Sequence, residues 1–134
     1  MSGHIRYIAM KVDKIRFSKD GFEMLLSPLE ADVLETLWDY EKALVREIHS
    51  DVKKRRAVAV TSVAVILDRL HKKGLVSREE EKGRGGMHYI YASIKNKEEF
   101  QKSVLEYTVD TLIEKFGPSA LTYFSEKFSR KDLA

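Results

Sequence analysis

Residues 57–91 constrain the fold more than any other stretch of the chain. Val63, Ile66, Leu67 and Leu70 recur at i, i+3, i+4 and i+7, the spacing of one helix face, and Gly74 stands where such a helix stops. The predicted helix starts near Ala59 or Val60 and runs to about Lys73. Immediately after it, Leu75-Val76-Ser77-Arg78 and His88-Tyr89-Ile90-Tyr91 flank the turn sequence Lys82-Gly83-Arg84-Gly85-Gly86, which predicts two paired strands. A short helix that must bury one stripe and then enter a hairpin needs other helices to cover it.

The preceding residues supply them. Ser27-Pro28-Leu29-Glu30 places a capping hydroxyl, a residue pre-shaped for the first helical position and the Glu that completes a capping box. Leu29, Val33, Leu34, Leu37 and Trp38 then follow at helical spacing to about Tyr40. After a turn at residues 41–44, a second helix directs Val45, Ile48 and Val52 inward and ends in Lys53-Lys54-Arg55-Arg56. Three helices followed by a basic hairpin read as a winged helix-turn-helix spanning residues 27–93. That arrangement lays its third helix in the DNA major groove and its hairpin along the backbone or minor groove. The fold class expected is mainly α with a small β-sheet, followed by C-terminal dimerisation helices.

Residues 1–26 alternate apolar and polar side chains, and Lys19-Asp20-Gly21 between Phe17 and Phe22 is a turn signal, so this extension is expected to form a β-hairpin. Residues 94–134 read as two helices: one capped by Asn96 with Glu99 and broken at Gly117-Pro118, the other carrying Ala120, Leu121, Phe124 and Phe128. Their apolar surface exceeds what so short a tail can bury on itself. Either they pack back on the winged helix or they join two copies, and the two-fold symmetry of most oligomers and of half-site DNA readers favours a homodimer. The expected dimer residues are Leu105, Val109, Leu112, Ile113, Phe116, Leu121 and Phe124.

Charge is informative by location. Residues 46–91 hold eleven Lys/Arg against six acids, a local balance of +5 within a chain whose net charge is +3. Clustered cations of this kind suit a polyanion, because each phosphate neutralised releases counterions. The backbone and wing contacts expected are Lys53, Lys54, Arg55, Arg56, Lys72, Lys82 and Arg84, with Arg84 at the hairpin tip. On the third helix Val60, Thr61, Ser62, Ala64, Val65 and Arg69 fall on the faces left free by the core stripe. Thr and Ser exchange hydrogen bonds with base edges and Ala or Val packs on thymine methyl groups, but the first two turns contain no Arg, Lys, Asn or Gln for a bidentate contact.

Composition closes off other classes. With 43% apolar and 34% charged residues the chain has the make-up of a folded protein, and no run approaches the length needed to span a bilayer, so a cytoplasmic protein is expected. The absence of cysteine excludes thiolate metal sites and disulfides. His4, His49, His71 and His88 show no ligand or triad spacing, so neither an enzyme nor a cofactor or metal is expected. The glycines of the hairpin are not followed by the Lys-Ser/Thr of a phosphate loop. An alternative to DNA binding is a winged helix used as a protein adaptor, suggested by the apolar Val60, Ala64 and Val65.

The combination of Ser27-Pro28-Leu29-Glu30, Val33-Leu34-Leu37-Trp38, Glu47-Ile48, Thr61-Ser62-Val63, Leu67-Asp68-Arg69-Leu70, Lys73-Gly74-Leu75-Val76 and the Gly83-Arg84 wing resembles the penicillinase repressor family, which includes methicillin-resistance and copper-transport repressors. The resemblance runs over about residues 27–128 and implies a homodimeric transcriptional repressor on a palindromic operator. By position it implies a recognition helix at Val60 through Lys73 and a wing at Arg78 through Tyr91. Family members released by cleavage carry an Asn-Phe pair where this chain reads Leu121-Thr122-Tyr123-Phe124, and the copper repressors' cysteine-rich site has no counterpart here.

Overall fold

The computed structural model describes residues 14–129. A short 3-10 helix, Gly21–Leu25, leads into α1 (Pro28–Leu37); β1 (Ala43–Leu44), α2 (Val45–Val52) and α3 (Val60–Lys72) follow. The hairpin β2 (Val76–Gly83) and β3 (Gly86–Ser93) comes next, and α4 (Lys97–Phe116) and α5 (Pro118–Phe128) complete the chain. The described residues thus form a mainly helical fold with one small antiparallel sheet of order β1-β3-β2.

The capping box at Ser27 forms as its sequence requires. Ser27 Oγ accepts the Glu30 N–H at 3.2 Å and Glu30 Oε1 accepts the Ser27 N–H at 2.8 Å. From this start α1 buries Ala31, Val33, Leu34 and Leu37. α3 meets it with Val63, Leu67 and Leu70 at zero exposure and Ile66 at its margin, while Ile48 and Val52 of α2 close the third side. α3 ends in a paired turn in which the Leu75 N–H donates to the Leu70 carbonyl and the Gly74 N–H to that of His71. Gly74 holds a φ of 81° there, a conformation that explains the glycine.

Glu30 does more than cap. Its Oε2 lies 2.7 Å from Lys73 Nζ, with the two side chains only 3% and 16% exposed, so a buried ion pair joins the start of α1 to the end of α3. Burial pushes the Glu30 carboxyl up, but the Lys73 ammonium and the donors of Ser27 together outweigh this and hold it below its ordinary value.

β1 lay outside the sequence expectation, which placed only a turn at residues 41–44. Ala43 pairs with Tyr91 and Leu44 with Ile90, so two residues suffice to dock the hairpin against the helices. Two residues are too few for a periodic signal. A larger difference concerns the N-terminal extension: the strand pairing expected across Phe17–Phe22 does not form, and the remainder of that expectation, residues 1–13, lies outside the described residues. The Arg16 N–H does donate to the Met24 carbonyl, closing a loop, but the loop contains the 3-10 helix. Phe22, Leu25 and Leu26 are all buried, a spacing of three and four residues that a flat strand cannot direct to one side.

Phe22 packs edge-on to Trp38 at 5.2 Å, and Trp38 lies 6.0 Å from Phe100 of α4. The Trp38 indole N–H donates to the Lys95 carbonyl at 3.0 Å. This aromatic contact anchors the first half of α4, where Phe100, Ser103, Val104 and Thr108 are buried. Asn96 and Glu99 form the capping box expected of α4, at 2.8 and 3.0 Å.

Leu67→Ala is expected to lower stability by about 2–5 kcal/mol, as urea unfolding would measure, because the site is fully enclosed. Lys73→Met leaves the Glu30 carboxylate buried without its counter-ion and is expected to cost about 3–5 kcal/mol. Since folding lowers the Glu30 pKa, the pair stabilises the protein fully above the unfolded carboxyl's titration and loses its effect as pH falls through the folded value. Glu30→Gln should therefore flatten the loss of stability measured from about pH 5 to pH 3.

Candidate nucleic-acid interface

Because the core stripe of α3 faces inward, Thr61, Ser62, Val65, Arg69 and Lys72 stand outward, with Val60 43% and Val65 56% exposed. Ala64 is half-buried. Thr61, Val65, Arg69 and Lys72 lie along one line of the helix, and Ser62 flanks its first turn. The turn before α3 is held by His49, whose Nε2 lies 2.8 Å from the Val58 carbonyl.

The basic run after α2 divides in two. Lys53 and Lys54 are exposed, Lys54 only loosely associated with Asp51 at 3.6 Å. Arg55 and Arg56 turn to α1 instead. The Arg55 guanidinium donates to Thr36 Oγ1 and sits 3.8 Å from Glu35, and Arg56 Nε reaches Asp32 Oδ2 at 2.8 Å. Among the described residues Lys53, Arg69, Lys82 and Arg84 take part in no ion pair.

The hairpin closes at Gly83 opposite Gly86, leaving Arg84 and Gly85 as its two-residue loop. Gly85 and Gly86 adopt φ of 87° and 119°, so the glycines serve a tight turn. Cross-strand partners share a face of a sheet, and here the register sorts the charges. Arg78, Glu80 and Lys82 oppose Tyr91, Tyr89 and Met87 on the side where Arg78 reaches Asp68 of α3. Glu79 and Glu81 oppose Ile90 and His88 on the other side, where Lys42 lies 3.8 Å from Glu79. Two of the wing's three acids are thus turned away from α3, a segregation that a charge count along the sequence conceals.

Asp68 of α3 accepts from Lys72 and from Arg78, which together hold its carboxyl below the ordinary range. Among the described residues no group of His, Asp and Glu is arranged to hold a metal, and no helix is long and apolar enough to cross a membrane.

At the other end of the molecule α5 folds back on α4, and Leu105, Phe116 and Leu121 remain 64%, 65% and 55% exposed. Val109, Leu112, Ile113 and Phe124 are half-buried, and Phe124 stacks on Phe128 at 6.0 Å. The alternatives of packing back or facing outward are therefore both realised: the N-terminal half of α4 covers the winged helix, and the rest of the tail does not.

A third helix with a free outer face, a preceding helix against its back and a two-stranded wing beside it define a winged-helix regulator that binds DNA and is not an enzyme. The penicillinase repressor family model matches residues 26–134, and the chain belongs to that family. Among solved structures, a possible transcriptional regulator from Methanosarcina mazei Go1 superposes with a TM-score of 0.53 at 17% identity, over 68% of this chain and 77% of its own. More distant are YusO of Bacillus subtilis, at a TM-score of 0.44 and 18% identity over 79% of this chain and 76% of its own, and BpsR of Bordetella bronchiseptica, whose DNA binding is regulated by 6-hydroxynicotinic acid, at 0.45 and 18% over 96% and 94%. A search of curated proteins found no significant match.

Proposed function

We propose that the chain is a cytoplasmic, homodimeric transcriptional repressor that places α3 in successive major grooves of a palindromic operator. Residues 27–93 form the DNA-binding unit, residues 94–134 join two copies, and residues 1–26 extend the first. The observation that carries this reading is the division of cations: those bound to carboxylates face the protein's own helices, whereas Lys53, Arg69, Lys82 and Arg84 have no such partner among the described residues. Thr61, Ser62, Ala64 and Val65 supply the base contacts, Val60 and Arg69 flank them, and Lys54 and Lys72 reach phosphates by exchanging loose partners. Arg55 and Arg56 contribute less, because Asp32, Glu35 and Thr36 already satisfy them. Dimerisation through Leu105, Val109, Leu112, Ile113, Phe116, Leu121 and Phe124 is supported by the exposure of large apolar side chains on α4 and α5.

A second reading, a protein adaptor docking through α3, is favoured by the exposure of Val60 and Val65. Recovery of bound fragments from a genomic library, followed by an anisotropy titration of the recovered duplex against salt, separates the two. Absence of duplex binding even at low salt sinks the repressor and leaves the adaptor.

Lys53→Ala, Lys82→Ala and Arg84→Ala should each reduce the slope of log affinity against log salt by about 1, in that titration, without changing thermal stability. Arg56→Ala should reduce it by less. Thr61→Ala or Ser62→Ala should alter the ranking of recovered sites rather than the salt slope. Leu105→Glu with Phe116→Glu should convert the dimer to a folded monomer in sedimentation equilibrium; a dimer unaffected by both changes contradicts the assigned interface.

A further inference from the structure

Arg78 sits near the root of the wing and is held from two sides. Its Nη1 donates to Asp68 Oδ1 of α3 at 2.8 Å, and its guanidinium carbon lies 4.1 Å from the centre of the Tyr89 ring on β3. One side chain thereby ties the third helix to both strands of the wing. The other oxygen of Asp68 lies 3.0 Å from Lys72 Nζ, and Lys72 is 75% exposed where Arg78 is 23% exposed. An arriving phosphate can draw Lys72 away, since that pair is solvated and weak, whereas Arg78 would have to give up a planar, partly buried contact and its ring.

We propose that Asp68 is a positioning residue: through Arg78 it fixes the pitch of the wing against α3, and so fixes which groove geometry can meet α3 and the Arg84 tip together. This deepens the DNA-binding repressor reading and rests on it. The need for such a device follows from α3 itself, whose first two turns carry no side chain able to make a bidentate base contact. Discrimination must then come in part from the shape of the duplex, and shape is read only by contacts held at a fixed separation. A wing free to pivot would follow any groove and reward none. On its other face the wing root has only the long Lys42–Glu79 pair at 3.8 Å, with both side chains more than half exposed, which leaves the Asp68–Arg78 bond as the stronger polar link.

The opposing signs of two effects test the proposal. In the full chain, Asp68→Asn removes a negative charge beside Lys72 and weakens the hold on Arg78. Anisotropy titrations would use the duplex recovered by genomic selection and a scrambled duplex of the same length. Affinity for the scrambled duplex is expected to rise severalfold, while the preference for the selected one falls about tenfold. Hydroxyl-radical footprints should lose protection at the flanks reached by the wing and keep it where α3 lies. Arg78→Lys, which keeps the charge but not the planar fork, should show the loss of preference without the gain on scrambled DNA. A loss shared equally by both duplexes, or an unchanged preference in the two variants with circular dichroism showing an intact fold, overturns the role of Asp68. If the unmodified chain binds neither duplex, the DNA reading itself fails, and the positioning role falls with it.

Discussion

The stripe formed by Val63, Ile66, Leu67 and Leu70 is the constraint on which the rest of the structure depends. A helix of 13 residues cannot be stable alone in water, so α3 exists because α1 and α2 cover that stripe. The same burial fixes what is left outside. Once the stripe faces α1, Thr61, Val65, Arg69 and Lys72 must face away, and the binding surface is a by-product of the core. Glu30 and Lys73 reinforce this geometry from both ends, tying the first turn of α1 to the last turn of α3 with a pair that tolerates no loss of one partner.

Electrostatics is then divided between holding the fold together and meeting DNA. Asp32, Glu35, Glu30 and Asp68 bind Arg56, Arg55, Lys73 and Arg78, and these cations are spent inside the molecule. The positive balance of residues 46–91 therefore overstates the charge available to a polyanion at some positions and understates its direction at others. On the wing, strand alternation turns Glu79 and Glu81 to the far side, so that the face next to α3 is more basic than the composition of the hairpin suggests.

Legibility followed the strength of local signals. The capping boxes at Ser27 and Asn96, the break at Gly117-Pro118 and the glycine stop at Gly74 need only neighbouring residues, and each appears in the structure as its sequence dictates. The two-residue β1 had no pattern to announce it. The turn signal Lys19-Asp20-Gly21 misled, because Phe22, Leu25 and Leu26 gain more by packing together on Trp38 and α4 than by alternating across a strand that lacks a described neighbour. The long C-terminal helix gave one apolar surface in sequence, yet its first half is core and its second half is exposed, since only contact with Trp38 and Phe22 distinguishes the two.

The sequence by itself determined the order of the elements, the core face of each helix and the family, because periodicity and caps act over a few residues. Tertiary structure alone decided which cations are free, which face of the wing is basic and how the wing is held against α3. Those properties arise from side chains far apart in the chain, such as Arg55 with Glu35 or Arg78 with Asp68, whose meeting depends on how the helices pack.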